Sequence, residues 1–223
     1  TSTFDDAMTF SRSGNATMVD SDGLLKWAPH NLLRYSEDLA AWSSTNTTVS
    51  SGVADPDGGN AAFTLTANTL GSFIEHRQNV TAPSGIKVTY SVKLRAIGIP
   101  GVIVRLRDAT SISNRIDASC SLSGGTASAA AYGDFSSASV VVNDLGGGWY
   151  EFLLTGVTGA ATGLRADLQV GSASVVDTGD FSAYQPHLYR SDLGGMVNNP
   201  DRGDSYVPTT SSAVYLPRRG HHV

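Results

Sequence analysis

The sequence predicts an all-β, antiparallel sandwich or barrel, and three observations carry that expectation. Short segments of alternating apolar and polar residues recur about every ten residues from Thr45 onward. No window sustains the 3.6-residue period of an amphipathic helix. Glycine is abundant, at 24 of 223 residues, and Ser and Thr are dense, which suits many strands joined by tight turns. The length fits one large domain with appended arms.

The first 30 residues read as an arm. Within it, Thr17 to Asp20 and Leu24 to Trp27 flank Asp22-Gly23, a turn dipeptide in which glycine supplies positive φ, so a short hairpin is expected. Asn31 to Ala41 has room for one short helical turn, capped by Asn31 or Ser36. Strands then follow at Thr47-Thr-Val-Ser, Ala61-Ala-Phe-Thr-Leu-Thr and Phe73 to Val80, with a Pro/Gly turn at Asp55-Pro-Asp-Gly-Gly. Ile86 to Arg95 alternates most cleanly: Ile86, Val88, Tyr90, Val92 and Leu94 should face the core, and Lys87, Lys93 and Arg95 should face away. Further strands are expected at Val102 to Arg107, Arg115 to Leu122, Val140 to Asn143, Trp149 to Thr155, Leu164 to Val170 and Phe181 to Tyr189. The small-residue run Ser123 to Ala138 suits a flat strand pair that buries little, and Tyr206-Val-Pro reads as a final short strand. Trp149, delivered by Gly146-Gly-Gly, should enter the sandwich.

Composition narrows the function. A net charge of −5 disfavours nucleic acid as the main partner, because phosphate binding needs a basic stripe. No apolar run reaches the roughly 18 residues of a membrane helix, and no signal-peptide pattern is present, so membrane insertion is not expected. The absence of an initiator Met fits a fragment or processed product. Cys120 is the single cysteine, which excludes an intrachain disulfide, and its alternating neighbours Ala118 and Leu122 place it in the core.

No catalytic set emerges: there is no nucleophile elbow, no metalloprotease helix motif, no phosphate loop and no Cys-x-x-Cys. Glycosidases need two carboxylates across a cleft. The only glutamates are Glu37, Glu75 and Glu151; Glu37 reads as a cap, and the other two as solvated strand positions. His30, His76 and His187 are too scattered to suggest zinc, and only the terminal His221-His222 are adjacent. Hard-oxygen candidates for a structural calcium are Asp20, Asp22, Asp55 and Asp57, with Asp180 and Asp201 behind them; beside Gly and Pro, such residues also simply make turns. No cofactor is certain. Sugar recognition uses aromatic faces, and Tyr132, Tyr184 and Tyr189 are the tyrosines freest to be exposed, while Trp42 and Trp149 read as core anchors.

Three stretches carry a family resemblance. Asn31 to Trp42 (NLLRYSEDLAAW) resembles the NLLxxSEDFxxxW opening of jelly-roll modules in bacteriophage virion proteins, mostly tail fibres and head or tail spikes. Asn143 to Phe152 (NDLGGGWYEF) resembles that family's xDLGNGWYRV, and Ser205 to Val214 (SYVPTTSSAV) its closing SYIPTTSAAV. Thr9 to Leu25 resembles its lead-in FTRASxATxVDxDGLL. The resemblance implies a jelly-roll β-sandwich over residues 31–208, an N-terminal arm over 1–30 and a C-terminal tail or linker over 209–223. It implies a non-enzymatic structural and binding module of a phage-like particle, made in the bacterial cytoplasm and carried outside on the virion. Its partners would be other virion proteins (a symmetric oligomer, or portal, capsid or tail contacts) and a host-surface glycan. Phe4, Phe10, Leu24, Leu25, Trp27, Tyr215 and Leu216 would be the assembly surface of the arms, since too few strands lie there to bury them. Two rivals stand beside this reading. A carbohydrate-binding module of a secreted glycoside hydrolase would be monomeric and bind polysaccharide alone. A depolymerase enzyme of the phage-tail kind would show β-helix coil repeats, which are absent.

Overall fold

The computed structural model describes residues 13–68, 74–170, 178–198 and 204–216. Phe4, Phe10, Asp201 and His221-His222 lie outside these residues. The chain opens with a hairpin, β1 (Thr17–Val19) and β2 (Leu25–Trp27), followed by β3 (His30–Asn31), a 3₁₀ turn at Leu39–Ala41, β4 (Ser43–Thr45), β5 (Thr47–Val53), β6 (Ala62–Ala67) and β7 (Ile74–Thr81). It continues with β8 (Lys87–Ala96), β9 (Gly101–Asp108), β10 (Arg115–Ser121), β11 (Thr126–Tyr132), β12 (Ser136–Gly146), β13 (Trp149–Val157), β14 (Gly163–Val170), β15 (Gly179–Arg190) and β16 (Val214–Tyr215).

Two six-stranded antiparallel sheets, β11-β10-β9-β14-β7-β4 and β12-β13-β8-β15-β6-β5, pack face to face as a jelly-roll sandwich. Alternation sets the faces. Val88, Tyr90, Val92 and Leu94 of β8 are fully buried against Val102, Val104 and Leu106 of β9 and Phe152 and Leu154 of β13, with Ile86 just ahead of the strand. Lys87 is exposed, and Lys93 and Arg95 point to the other side, half-buried. Cys120 sits in this core, and burial pushes its thiol up to about 12, which removes thiolate chemistry.

The hairpin forms as expected, pairing Thr17 with Trp27 and Val19 with Leu25 around Gly23 at φ 77°. Asp20 Oδ1 accepts from the backbone N–H of Asp22 and Leu24, both at 2.9 Å, and its other oxygen meets Lys26 at 3.0 Å.

Several expectations need correction. Ser123 to Ala138 is not a strand pair: β11 and β12 are edge strands of different sheets, and the chain crosses between them at Gly133. A Cβ at Gly133 would meet Asn114 Oδ1 at 2.1 Å, and Phe135 plugs the corner, so small residues serve a crossover rather than a flat sheet. The 3₁₀ turn is capped by Asp38, whose carboxylate accepts from Ala40 N–H, and not by Asn31 or Ser36. The final strand is Val214–Tyr215, while Tyr206 and Val207 are buried without pairing as a strand.

The chain from Thr209 to Leu216, read as part of a C-terminal tail or linker, is bound to the sandwich. Tyr35 N–H donates to Thr210 O; Ser36 N–H donates to Thr209 Oγ1 and Ser36 Oγ accepts from Thr209 N–H; Val214 pairs with Asn31. Asn31 Nδ2 donates to Val207 O at 2.9 Å, and Tyr206 O–H reaches Ser36 Oγ and Glu37 Oε1. The opening and closing stretches of the sequence therefore form one clasp. Ser36 and Glu37 serve it as acceptors, which is a different role from the helix cap expected of them.

Candidate functional site

The outward face of the first sheet carries an ion-pair network. Odd positions of β9, β14 and β7 and of β10 point away from the core, and the register sets Arg105 opposite Asp117 and Asp167, Arg107 opposite Arg115 and Arg165, and Glu75 opposite Gln169. Arg105 holds Asp117 through two parallel bonds of 2.6 and 3.0 Å and also donates to Gln169. Arg107 reaches Asp167 at 2.9 Å and Glu75 at 3.2 Å, and Arg77 pairs with Glu75. Glu75, expected as a solvated strand position, is instead 0% exposed. Strand alternation places it outward correctly, but long arginines from neighbouring strands close over it, which single-strand periodicity does not register.

Two buried carboxyls, Glu75 and Asp167, thus face each other. Burial first, and then the charge of Glu75, raise Asp167 to about 8. Burial would raise Glu75 as well, but the hydrogen bonds from Asp167 and Arg77 outweigh it and hold Glu75 below the usual range. The pair divides its acidity unevenly: burial and the Glu75 charge push Asp167 towards its protonated form, the arginines hold Glu75 ionised, and Asp167 Oδ1 meets no described donor.

At the β4 edge of this sheet lie two adjoining hollows. One, of about 270 Å³, is lined by Arg34, Tyr35, Ala41, Trp42, Ser43, Arg77, Gln78, Asn79 and Arg165. The other, of about 520 Å³, shares Arg34 and Asn79 and adds Leu32, Val80, Thr81, Ala109, Gly163, Ala213 and Tyr215. Local structure holds the walls. Gln78 donates to Arg34 O and accepts from Arg34 N–H, both at 2.6 Å, so a side-chain amide takes the place of a strand neighbour. Trp42 stacks on His76 at 5.5 Å and donates Nε1–H to Tyr35 O. Tyr35 itself has φ 52°, a left-handed conformation costly for a tyrosine and held here by the clasp. Arg165 Nε donates to Asn79 Oδ1 at 2.9 Å.

The tyrosines singled out by sequence do not converge. Tyr132 is 42% exposed on the β11 edge, with the Arg115 guanidinium 4.0 Å above its ring. Tyr184, expected to be exposed, is buried: its O–H donates to Asp57 Oδ2, and its ring meets Trp149 edge-on. Tyr189 is half-buried on β15, beside His187. Trp149 is 3% exposed, as anticipated, yet it lies outside the sandwich core. It stands on the outer face of the second sheet with Ala62 and Tyr184, under Arg95 at 4.9 Å, because the Gly146 irregularity starts β13 on that face. Trp149→Ala is expected to lower stability by about 3 kcal/mol, the lower end for a tryptophan truncation, because a site on the outer face can be rehydrated. Urea denaturation checks this; a loss below about 1 kcal/mol would show that the ring is not packed.

The assembly candidates divide. Leu24 and Leu25 are more than half exposed, as is Val19 beside them. Trp27 is half-buried, donates Nε1–H to Asp192 Oδ1 at 2.7 Å and lies under Arg190. Tyr215 packs on its own sandwich, stacking on His30, and Leu216 N–H donates to Pro29 O, so these three are tied to the chain's own fold. The calcium candidates do not converge either. Asp20 tethers the hairpin turn in which Asp22 stands, and Asp55 accepts from the N–H of Asp57, Gly59 and Ala61, while Asp57 serves Lys93 and Tyr184. Among the described residues no cluster of three or more metal-ligating side chains occurs. Sequence reasoning missed Arg34, Arg77 and Arg165 as site residues; three arginines dispersed over 131 positions carry no local signal.

No family model matches the chain and no curated protein matches it. Among solved structures, it is similar to the enzymatically active domain of tailspike protein 4 of bacteriophage CBA120, at 12% identity and TM-score 0.47, over 72% of this chain and 21% of that one. It is also similar to TmCBM61, solved in complex with β-1,4-galactotriose, at 14% identity and TM-score 0.39, over 72% of this chain and 98% of that one. The likeness is one of fold. The chain spans about a fifth of the tailspike chain it matches. Among the described residues, no helix is long and apolar enough to cross a membrane.

Proposed function

We propose that this chain is a non-catalytic, glycan-binding module of a phage-like virion. The observation that carries the reading is the pair of adjoining hollows. Both are built by the stretches that resemble virion modules: Leu32, Arg34, Tyr35, Ala41 and Trp42 from the opening, and Ala213 from the closing one. Concave walls with a few convergent polar groups and an aromatic are what saccharide recognition needs, and the second hollow adds Tyr215 for contact with an apolar sugar face. A non-catalytic role is supported by the carboxyl pair. Glu75 and Asp167 interact directly from neighbouring strands and are fully buried beneath Arg107, so they do not flank an open cleft as a glycosidase pair would.

Attachment to another virion protein is supported by the hairpin tip, where Val19, Leu24 and Leu25 stand exposed on a two-stranded element with no face of its own to cover them. The intact chain is expected to retain oligosaccharides on a glycan array. Changing Leu24 and Leu25 to Asp should block incorporation into particles while leaving the melting curve unchanged. A chain that binds no glycan, or a double variant that assembles normally, would overturn the corresponding half of the proposal.

A further inference from the structure

We propose that the smaller hollow is an acid-sugar pocket: its three guanidiniums take the carboxylate of an acidic saccharide residue whose chain continues into the larger hollow. The inference rests on the reading of the chain as a glycan-binding module.

Charge and geometry support it together. Nine residues line the pocket, three of them arginines (Arg34, Arg77 and Arg165) and none of them an aspartate or glutamate. A protein of net charge −5 has thus gathered cations in one concavity. Among the described residues the carboxyls beneath are Glu75 and Asp167, both fully buried: Glu75 is already shared by Arg77 and Arg107, with Arg165 4.0 Å away, and Asp167 is held by Arg107. Arg34 is exposed and makes no side-chain hydrogen bond or ion pair with a described residue, yet its backbone is fixed on both sides by Gln78. An anchored arginine with free donors beside two others matches a planar carboxylate, which accepts two parallel N–H bonds. Desolvation and the neighbouring Arg107 lower the pKa of Arg165, the sign of crowded positive charge that an incoming anion would relieve.

Size and lining set the rest of the ligand. A volume of about 270 Å³ lies just under the range for drug-sized ligands, so it suits one sugar ring and its substituents. Asn79 and Gln78 amides and the Ser43 hydroxyl line the same wall and can meet ring hydroxyls. The shared Arg34–Asn79 border leads into the larger hollow, where Tyr215, Leu32 and Val80 offer apolar contact to the next residue.

The test is calorimetric titration of the whole chain with galacturonate and glucuronate trisaccharides, each beside its carboxyl-reduced neutral form and beside a sugar phosphate. The acidic forms should bind at least about tenfold tighter than the reduced ones at low salt, with the advantage shrinking as salt rises. Arg34→Ala should bring the acidic and carboxyl-reduced forms to equal affinity; Ser43→Trp, which fills the hollow, should weaken both. Equal affinity for acidic and reduced forms, unchanged by Arg34→Ala, would overturn the acid pocket while leaving the glycan-module reading standing. Binding of the sugar phosphate as tightly as the uronates would replace a carboxylate site with a general anion site. Binding of no saccharide at all would remove the glycan-module reading and this inference with it.

Discussion

Arg107→Ala should destabilise the protein by roughly 3–5 kcal/mol, because it removes one partner of a buried ion-pair network and leaves charge behind. Arg107 donates to Asp167 and to Glu75, and both carboxyls are 0% exposed. Without it the buried Glu75 charge is left with Arg77 as its close partner, Asp167 loses the guanidinium from which its Oδ2 accepts, and neither carboxyl gains water on the side where the sheet lies. For a domain of this size the melting temperature should fall by roughly 10 °C. A triple change of Arg107, Glu75 and Asp167 to apolar residues of similar volume should recover most of the loss, since removing these three groups together also removes their desolvation cost. Denaturant titration of the single and triple variants distinguishes the cases. A single variant within about 1 kcal/mol of the parent would mean that water reaches the network.

Acidification is the second large effect. His30, His76 and His187 are buried, and burial lowers them to about 4, about 4 and about 3. Their neutral rings are used as such: His30 Nδ1–H donates to Ala28 O and its Nε2 accepts from Arg190 N–H, an acceptor that protonation would abolish. His76 meets Ser44 Oγ through Nδ1, and His187 Nε2–H donates to His30 O. With folded values below the unfolded one of 6.5, the unfolded chain binds more protons at these three sites, so stability falls as pH drops from about 6.5 towards about 4. Asp167 acts in the opposite sense. Its folded value of about 8 lies above its unfolded 3.8, so its contribution is most favourable in acid and declines as pH rises towards about 8. The balance between pH 6.5 and 4.5 is three groups against one, a net loss on the order of 5 kcal/mol at about 1.4 kcal/mol per group and pH unit. Glu75, held low, adds its own loss only in stronger acid. Urea midpoints across pH 4.5 to 8 should therefore peak near neutrality; a flat profile below pH 6.5 would show that the histidines are hydrated.

Much of the architecture is legible along the chain, and the reason is the period of two. In β8 a single pass over Ile86 to Arg95 names the core face correctly, because one register satisfies every apolar residue at once. The hairpin is equally local: Asp20, Gly23 and Lys26 interact within seven residues, and their types suffice. The same locality explains the failures. The run Ser123 to Ala138 has no long side chains to favour either sheet, so nothing in it announces a crossover. Tyr184 looks exposable until Asp57, a residue 127 positions away, supplies the partner for its hydroxyl.

Fold class, strand faces and the absence of local catalytic motifs are properties of neighbours in sequence, and so were open to reading from residues alone. The clasp, the buried carboxyl pair and the arginine-lined hollow are properties of neighbours in space. Asn31 reaches Val207 across 176 positions, and Arg34, Arg77 and Arg165 meet only because β7 pairs with β14 and Gln78 draws the Arg34 backbone to that edge. Strand alternation tells which way a side chain points. What it points at depends on the strands that arrive beside it, and only the assembled sheet specifies those.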